Sequence, residues 1–361
     1  MLRKIIDILL LTCSILFLHA QTDSTQKAFT FFGFAEVYYG YDFGKPETGR
    51  KPMFLYSHSH HNEVNANLVF LKFAYSKNRF RFNLAPMVGT YSQVNLSGEP
   101  FYLRQIFELN VGIKLLKKKE LWLDGGVFPS HIGFESAISK DCATLSRSIL
   151  AENTPYFETG IKLTYQHNSK WTFIVLVLNG WQKIKWTSGK SLPSFGTQVV
   201  FTPNEKLTFN YSTFIGTDYA DSVRKMRYFH NLYAIWNLHP KLSLTFGFDV
   251  GAEQKQKHST QYNIWYSPVF IIRYTPVDKF ALAARYEFYS DKNGVMINSG
   301  TTNGFQTHGV SLNLDYIISA KVMWRVEGRI LKSKDEIFIS DNKPTSNNYS
   351  LLTSLAISLS K

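Results

Sequence analysis

Few residues in this chain have types and spacings that could do chemistry. Ser57-His58-Ser59-His60-His61, with Glu63 close behind, brings three imidazoles together. Imidazoles so close are candidate ligands for Zn²⁺ or Cu²⁺. They fall in an expected loop, however, with no strand or helix to fix their directions, so a polar rim is the plainer reading. His230 and His308 lie on expected strands and serines abound. Yet no spacing marks a nucleophile, base and orienter as a set. The chain has no phosphate loop, no Gly-rich dinucleotide fingerprint and no paired-Cys zinc site. The expectation is therefore no catalytic residue, no cofactor and no resident metal. What remains is charge in unusual places. Residues 129–155 carry Glu135, Asp141 and Arg147, while Arg81, Lys114, Arg285, Arg325 and Arg329 alternate with apolar neighbours. Such side chains are suited to setting the width and charge of an aqueous passage, and all eight are expected to line one.

Charged residues tolerate that alternation only if one side of the strand meets water and the other lipid. From Lys241, the side chains of Leu242, Leu244, Phe246, Phe248 and Val250 share a face, opposite Ser243, Thr245, Gly247 and Asp249. The same period of two runs from Phe280 to Phe288, from Val310 to Tyr316, from Val322 to Ile330 and, with more noise, from Phe107 to Leu115. Around Leu68 to Tyr75 and from Phe173 to Leu178 both faces are apolar, and neither side can be assigned to lipid. A short basic turn precedes an alternating strand about every forty residues, from Gln26-Lys27 and Lys77-Asn78-Arg79 to Ser319-Ala320-Lys321, eight starts in all. A tight turn on one side and a long loop on the other predict an all-β fold: a transmembrane, up-and-down antiparallel β-barrel of about sixteen strands. The turns would be periplasmic and the long loops extracellular. Up strands start near Ala28, Phe80, Leu121, Trp171, Leu207, Leu242, Phe280 and Val322, each followed by a returning strand, the last being Asn348–Lys361. A β-propeller would need four short strands per period, where this chain has two long ones. Trp171, Trp181, Trp265 and Tyr274, with Tyr38, Tyr39 and Tyr41, lie near strand ends and are expected to form aromatic girdles.

The bulk numbers agree. Aromatics make up 16% and charged residues only 19%, against about 25% charged in a soluble domain. Residues 1–20 read as a secretory signal: Arg3 and Lys4, an apolar run from Ile5 to Leu18, and a small residue, Ala20, at the cut. That leaves residues 21–361 as a single barrel domain in the outer membrane. Removal of Cys13 leaves Cys142 alone, so no internal disulfide supports the fold, and a buried small residue is its expected role. The net charge of +13 suits acidic partners. The export signal argues against nucleic acid and for outer-membrane lipids and lipopolysaccharide, or for anionic solutes in transit. On the expected lumen face the acids Glu108, Asp249, Glu287, Asp315 and Glu327 nearly balance the bases, so the excess sits in turns and loops.

The segment Gly125-Gly126-Val127-Phe128-Pro129-Ser130-His131-Ile132-Gly133-Phe134-Glu135, followed by Leu145-Ser146-Arg147-Ser148-Ile149 and Pro155-Tyr156, resembles the OmpL-like putative β-barrel porin family of Bacteroidota outer membranes. The hairpin rhythm from Phe29 onward is similar to theirs. The resemblance implies an outer-membrane porin and brings no catalytic residue with it. Barrels of this kind usually end in an aromatic residue read by the barrel-assembly machinery, whereas this chain ends Ile357-Ser358-Leu359-Ser360-Lys361. By analogy with general porins, loop 129–155, third in order, is expected to fold inward and narrow the pore. The expected function is passive diffusion of small hydrophilic solutes. The alternatives are an outer-membrane enzyme acting on lipid or lipopolysaccharide, and a substrate-specific transporter in which His58, His60 and His61 matter. The sequence leaves solute, selectivity, pore width and assembly as a homotrimer open.

Overall fold

In the computed structural model, residues 28–360 are described. The expected signal segment, the first basic turn at Gln26-Lys27 and Lys361 lie outside them. Sixteen antiparallel strands close into one barrel. In chain order they are β1 (Phe29–Asp42), β2 (Val64–Lys77), β3 (Phe80–Val88), β4 (Ile106–Lys114), β5 (Glu120–Pro129), β6 (Phe157–Gln166), β7 (Trp171–Leu178), β8 (Ser194–Asn204), β9 (Leu207–Gly216), β10 (Arg227–His239), β11 (Leu242–Gln254), β12 (Tyr262–Val277), β13 (Phe280–Asp291), β14 (Phe305–Ile317), β15 (Val322–Ser333) and, after a small hairpin of β16 (Phe338–Ser340) and β17 (Lys343–Thr345), β18 (Asn347–Ser360). Each strand pairs with its neighbour in sequence, β15 pairs with β18 across the hairpin, and β18 closes on β1, with Phe34 opposite Ser358. Closure leaves no unpaired edge, which a membrane-spanning sheet requires. The basic turns sit at one end, as expected. Asn78 takes the left-handed conformation (φ 57°) that lets β2 reverse tightly into β3.

The alternation resolves into an outer and an inner face. Phe246, Leu282, Tyr286, Leu312, Trp324 and Ile330 point outward and are exposed to lipid, while Asp249, Arg285, Glu287, Asn313, Arg325 and Glu327 point inward. Near the turn end, Trp171, Trp236, Tyr274, Phe280 and Trp324 make an outward aromatic belt, with Trp171 stacked on Phe201 at 4.1 Å. Three expected girdle residues are instead inside. Trp265 alternates with outward Ile264 and Tyr266, and Trp181 follows β7 in a loop that turns inward. Both pack edge-on or stacked against Phe229 within an apolar cluster of the lumen. Tyr38 is likewise lumenal and buried.

The two windows apolar on both sides now have a cause. Leu176 and Leu178 of β7 join an internal core with Phe128, Ile132 and Phe214, while Leu68 and Phe70 of β2 join Met87, Tyr91 and Val127. The barrel is wide enough for extracellular loops to enter it, and wall positions beneath those loops are apolar because they pack against protein instead of water. One further departure is local. The β3–β4 register slips at Ala85/Pro86, so Phe107 is an extra residue that turns inward and stacks on Phe70 at 4.4 Å, although simple alternation predicts it outside.

Candidate functional site

The inward loop is loop 3 (residues 130–156), carried by β5 and β6. Its root is fixed by Gly126 and Gly160, which face each other across the two strands. Gly126 has φ 130°, and a Cβ there would lie 2.2 Å from the Leu109 carbonyl oxygen; one on Gly160 would lie 2.0 Å from that of Val177. Above the root, His131 spans the lumen edge, one ring nitrogen 2.8 Å from Glu158 and the other 2.8 Å from the Thr213 carbonyl oxygen. Two wall glycines leave room for loop side chains. A Cβ on Gly196 would meet the His131 ring at 2.7 Å, and one on Gly247 would meet the Phe134 ring at 2.2 Å.

The loop then crosses to the opposite wall. Arg273 of β12 donates to the Ala143 carbonyl at 2.8 Å, and the Leu145 amide donates to Asn313 of β14 at 3.0 Å. Arg285 of β13 donates to Thr144 Oγ1 and the Ser146 carbonyl, both at 2.7 Å. Glu327 of β15 accepts from the Ser146 amide at 2.5 Å, and Glu287 accepts from the Ile149 amide at 2.6 Å. Arg325 donates to the carbonyls of Ser139 and Cys142, and Ser139 donates to Glu36 of β1. Lys140 reaches the β14–β15 turn itself, donating to the Ala320 carbonyl and Ser358 Oγ, both at 2.6 Å. Loop 3 therefore runs from the extracellular side of one wall down to the turn end of the other.

Within the loop, Arg147 is wholly buried and donates to the carbonyls of Ser136, Ala137 and Leu145 at 2.6–2.7 Å. Glu135 accepts from the Ser148 amide at 3.0 Å and from the Ser148 hydroxyl. Ser148 also caps a single helical turn (Ile149–Glu152), accepting from the Ala151 amide at 3.2 Å. Glu152 clasps loop 1 (residues 43–63) by accepting from the amides of Tyr56 and Ser57 at 3.0 and 3.2 Å. Burial pushes the Glu152 carboxyl up from its usual range, against the pull of Arg147. Cys142 is buried, its sulfur 3.3 Å from the Ser136 amide nitrogen, and burial pushes its thiol up.

The eight residues expected to line a passage thus divide. Arg285, Arg325, Arg329, Arg147 and Glu135 lie at or inside the seam between loop 3 and the wall, buried from water. The loop's exposed carbonyls and hydroxyls need donors and acceptors there, and these side chains supply them in place of solvent. Arg329 pairs with Glu287 at 2.7 Å and Arg285 with Glu327 at 3.0 Å. Arg81 and Lys114 occupy the other wall and keep some exposure. Arg81 holds Asp124 and lies 4.4 Å over the Trp122 ring, and Lys114 pairs with Glu120 near the turns. Asp141 is exposed at the deep end of the loop. The loop 1 histidines part company: His58 bonds Glu36 at 3.0 Å, His60 bonds Glu63, and His61 accepts from the Asp42 amide at 2.9 Å. His230 and His308 face outward, bonded to Tyr211 and Tyr286 at 2.7 and 2.9 Å.

Sequence reasoning missed Lys72, Glu36, Glu152 and a tyrosine pair that lines one of two cavities. One, about 520 Å³, lies between loop 3 and the β1–β4 wall; another, about 320 Å³, lies among the loops beside Asn153 and Thr154. At the first, Tyr91, on a short helix (Thr90–Asn95) of loop 2 (residues 89–105), meets Tyr156 edge-on with ring centroids 5.8 Å apart. The signal that could have found the pair was an aromatic directly after Pro155 in the inward loop.

Comparison with known proteins places this architecture. Three solved structures share the fold: an anion-selective porin from Comamonas acidovorans (TM-score 0.61, 12% identity, 92% of this chain and 99% of that one), the outer membrane channel DcaP of Acinetobacter baumannii (0.59, 10%, 94% and 100%) and the outer-membrane protein OmpT of Vibrio cholerae (0.58, 9%, 93% and 99%). No curated protein sequence matches. One family's sequence profile matches residues 28–359, and its description names no taxonomic group. The chain is a bacterial outer-membrane barrel, and it belongs to the family described as "Putative beta-barrel porin-2, OmpL-like".

Proposed function

We propose that the protein is a diffusion channel for small solutes whose bore is set by loop 3, and that it carries out no catalysis. The observation that carries this reading is the path of loop 3. It is bonded to both sides of a closed ring yet leaves a cavity along the β1–β4 wall, lined by Tyr91 and Tyr156, and another among the loops beside Asn153 and Thr154. Solutes would pass the two cavities in turn. Arg81, Lys114 and Asp141, which keep exposure on the turn side, would set the field at the exit. The signal segment 1–20 would be removed, leaving residues 21–361 as one barrel delivered by the assembly machinery. Every described turn carries Lys or Arg just beyond the aromatic belt, from Lys77 and Arg79 through Lys170, Lys206, Lys241 and Lys279 to Lys321. That placement suits phosphate-bearing lipids. A homotrimer is part of the proposal, since one solved form of the similar V. cholerae OmpT is described as a trimer.

Purified protein in a planar bilayer tests the reading. A channel gives discrete conductance steps, larger in Tyr156→Ala than in the wild type. A membrane that stays silent with both proteins, each folded by heat-modifiable migration, rejects it.

A further inference from the structure

The cavity between loop 3 and the β1–β4 wall is unlike a passage for hydrophilic solutes. Phe32, Phe70, Met87 and Phe107 form its wall side, Ile132 and Phe134 its loop side. Phe70 and Phe107 stack within it at 4.4 Å, placed there by the β4 bulge. A fully hydrated solute would lose water to such a surface without replacing its hydrogen bonds, at a cost in free energy. An apolar or aromatic body would instead gain from burial, and about 520 Å³ falls in the size range of small-molecule sites.

The charged groups of the cavity are few and asymmetric. Among its described lining residues Lys72 is the one base, facing the acids Glu108 and Glu135. Both acids already have a base beside them. Glu108 accepts from Lys72 Nζ at 2.6 Å and, through its other oxygen, from Asn110 at 2.9 Å. Glu135 accepts from Ser148 through one oxygen; its other is buried without a hydrogen bond among the described residues and lies 3.8 Å from Arg285. An ammonium has three donors. Lys72 uses one on Glu108 and keeps part of its side chain accessible, so two donors are uncommitted among the described residues. The cavity therefore offers free donors beside an aromatic slot, and each of its acids already has a base beside it.

We propose that this cavity is a binding site for amphipathic carboxylates, an aromatic or branched apolar body bearing one carboxylate, with the carboxylate on Lys72 and the body between Phe70, Phe107 and Met87. It deepens the channel reading by naming the solute class and rests on that reading only for transport, since binding is measurable without it. A cationic solute of the same shape would meet Lys72 as a like charge and find each acid already beside a base. A small hydrophilic carboxylate would gain the charge contact but leave the slot empty.

Equilibrium titration of the full barrel in detergent, with phenylacetate, phenethylamine and acetate as probes, tests this. A detergent-only blank removes partitioning, and heat-modifiable migration confirms that each variant is folded. The expected result is saturable phenylacetate binding, with acetate and phenethylamine each weaker by roughly tenfold or more. Lys72→Met should weaken phenylacetate by a similar factor, as should Lys72→Met combined with Glu108→Leu, which leaves no unpaired acid. Phe107→Ala should weaken phenylacetate and leave acetate unchanged. Equal binding of phenethylamine, or phenylacetate binding untouched by either Lys72 variant, overturns the proposal. A conducting barrel that binds no phenylacetate sinks the ligand assignment and spares the channel. A barrel that binds it but never conducts does the reverse.

Discussion

Replacing Arg285 with methionine should free loop 3 while leaving the barrel closed. Arg285 is wholly buried and makes four contacts at the seam: Thr144 Oγ1 and the Ser146 carbonyl at 2.7 Å, Ser146 Oγ at 2.9 Å and Glu327 at 3.0 Å. Methionine keeps the stem but strands Glu327 and the Ser146 carbonyl. Removing one partner of a buried ion pair costs about 3–5 kcal/mol. At about 1.4 kcal/mol per tenfold, the docked-to-free ratio of the loop falls by a hundredfold or more. The barrel's backbone ladder does not involve this side chain, so heat-modifiable migration should persist. Two assays read the loop. Single-channel steps should grow larger and noisier, and trypsin should cut at Lys140 or Arg147, both held at the seam or inside the loop in the native protein. Pairing Arg285→Met with Glu327→Leu should restore much of the native behaviour. An apolar pair often replaces a buried ion pair at little cost, and Glu287 retains Arg329 at 2.7 Å. A single variant with wild-type conductance and wild-type proteolysis would refute the claim that these pairs hold the loop.

Three further outcomes follow from the same geometry. Gly247→Val should displace Phe134, because even a Cβ at that position comes within 2.2 Å of its ring, and trypsin should then nick loop 3 in a barrel that still migrates as folded; an uncut loop would count against the seat. Burial, aided by the positive fields of Arg147 and Lys51, holds His58 below its ordinary range against the pull of Glu36. Its neutral form is therefore bound in the docked loop, and loop 1 should loosen as pH falls below about 6.5, where the free imidazole protonates; hydrogen exchange at residues 51–63 that does not rise on acidification would contradict this. Because the buried wall charges are largely paired and the turns carry unpaired lysines, reversal potentials under a salt gradient should show a mild anion preference that weakens with ionic strength, and cation selectivity would end that expectation.

Strand positions were legible because the pattern with the shortest period is also the one the bilayer enforces. In β11 and β13–β15 every second residue must be apolar, and the faces could be read residue by residue. The alternation failed where the wall touches protein. Leu176 and Leu178 look outward-facing by type but pack under Ile132 and Trp181, and Lys72 hides between Leu68 and Tyr75 for the same reason. Trp265 has the chemistry of a girdle residue and the parity of a lumen residue, and parity decided its place. The charged residues of β13–β15 were readable as lumenal. Their burial was not, because it depends on where loop 3 lands, and a loop carrying Arg147, Glu135 and many small polar residues gives no periodic signal of its landing site. The motif Gly125 to Glu135 did mark the loop's root. Its parts turn out to be a backbone kink at Gly126, a bridge at His131 and the partner of Ser148 at Glu135.

The most direct test is the single-channel conductance of the purified wild-type protein compared with one whose loop 3 is shortened to a tight turn between Pro129 and Phe157. The account predicts small discrete steps for the first and much larger ones for the second, both from barrels that migrate as folded. Identical steps would place the narrowing elsewhere, and a folded shortened barrel that passes no current would mean the ring encloses no passage at all.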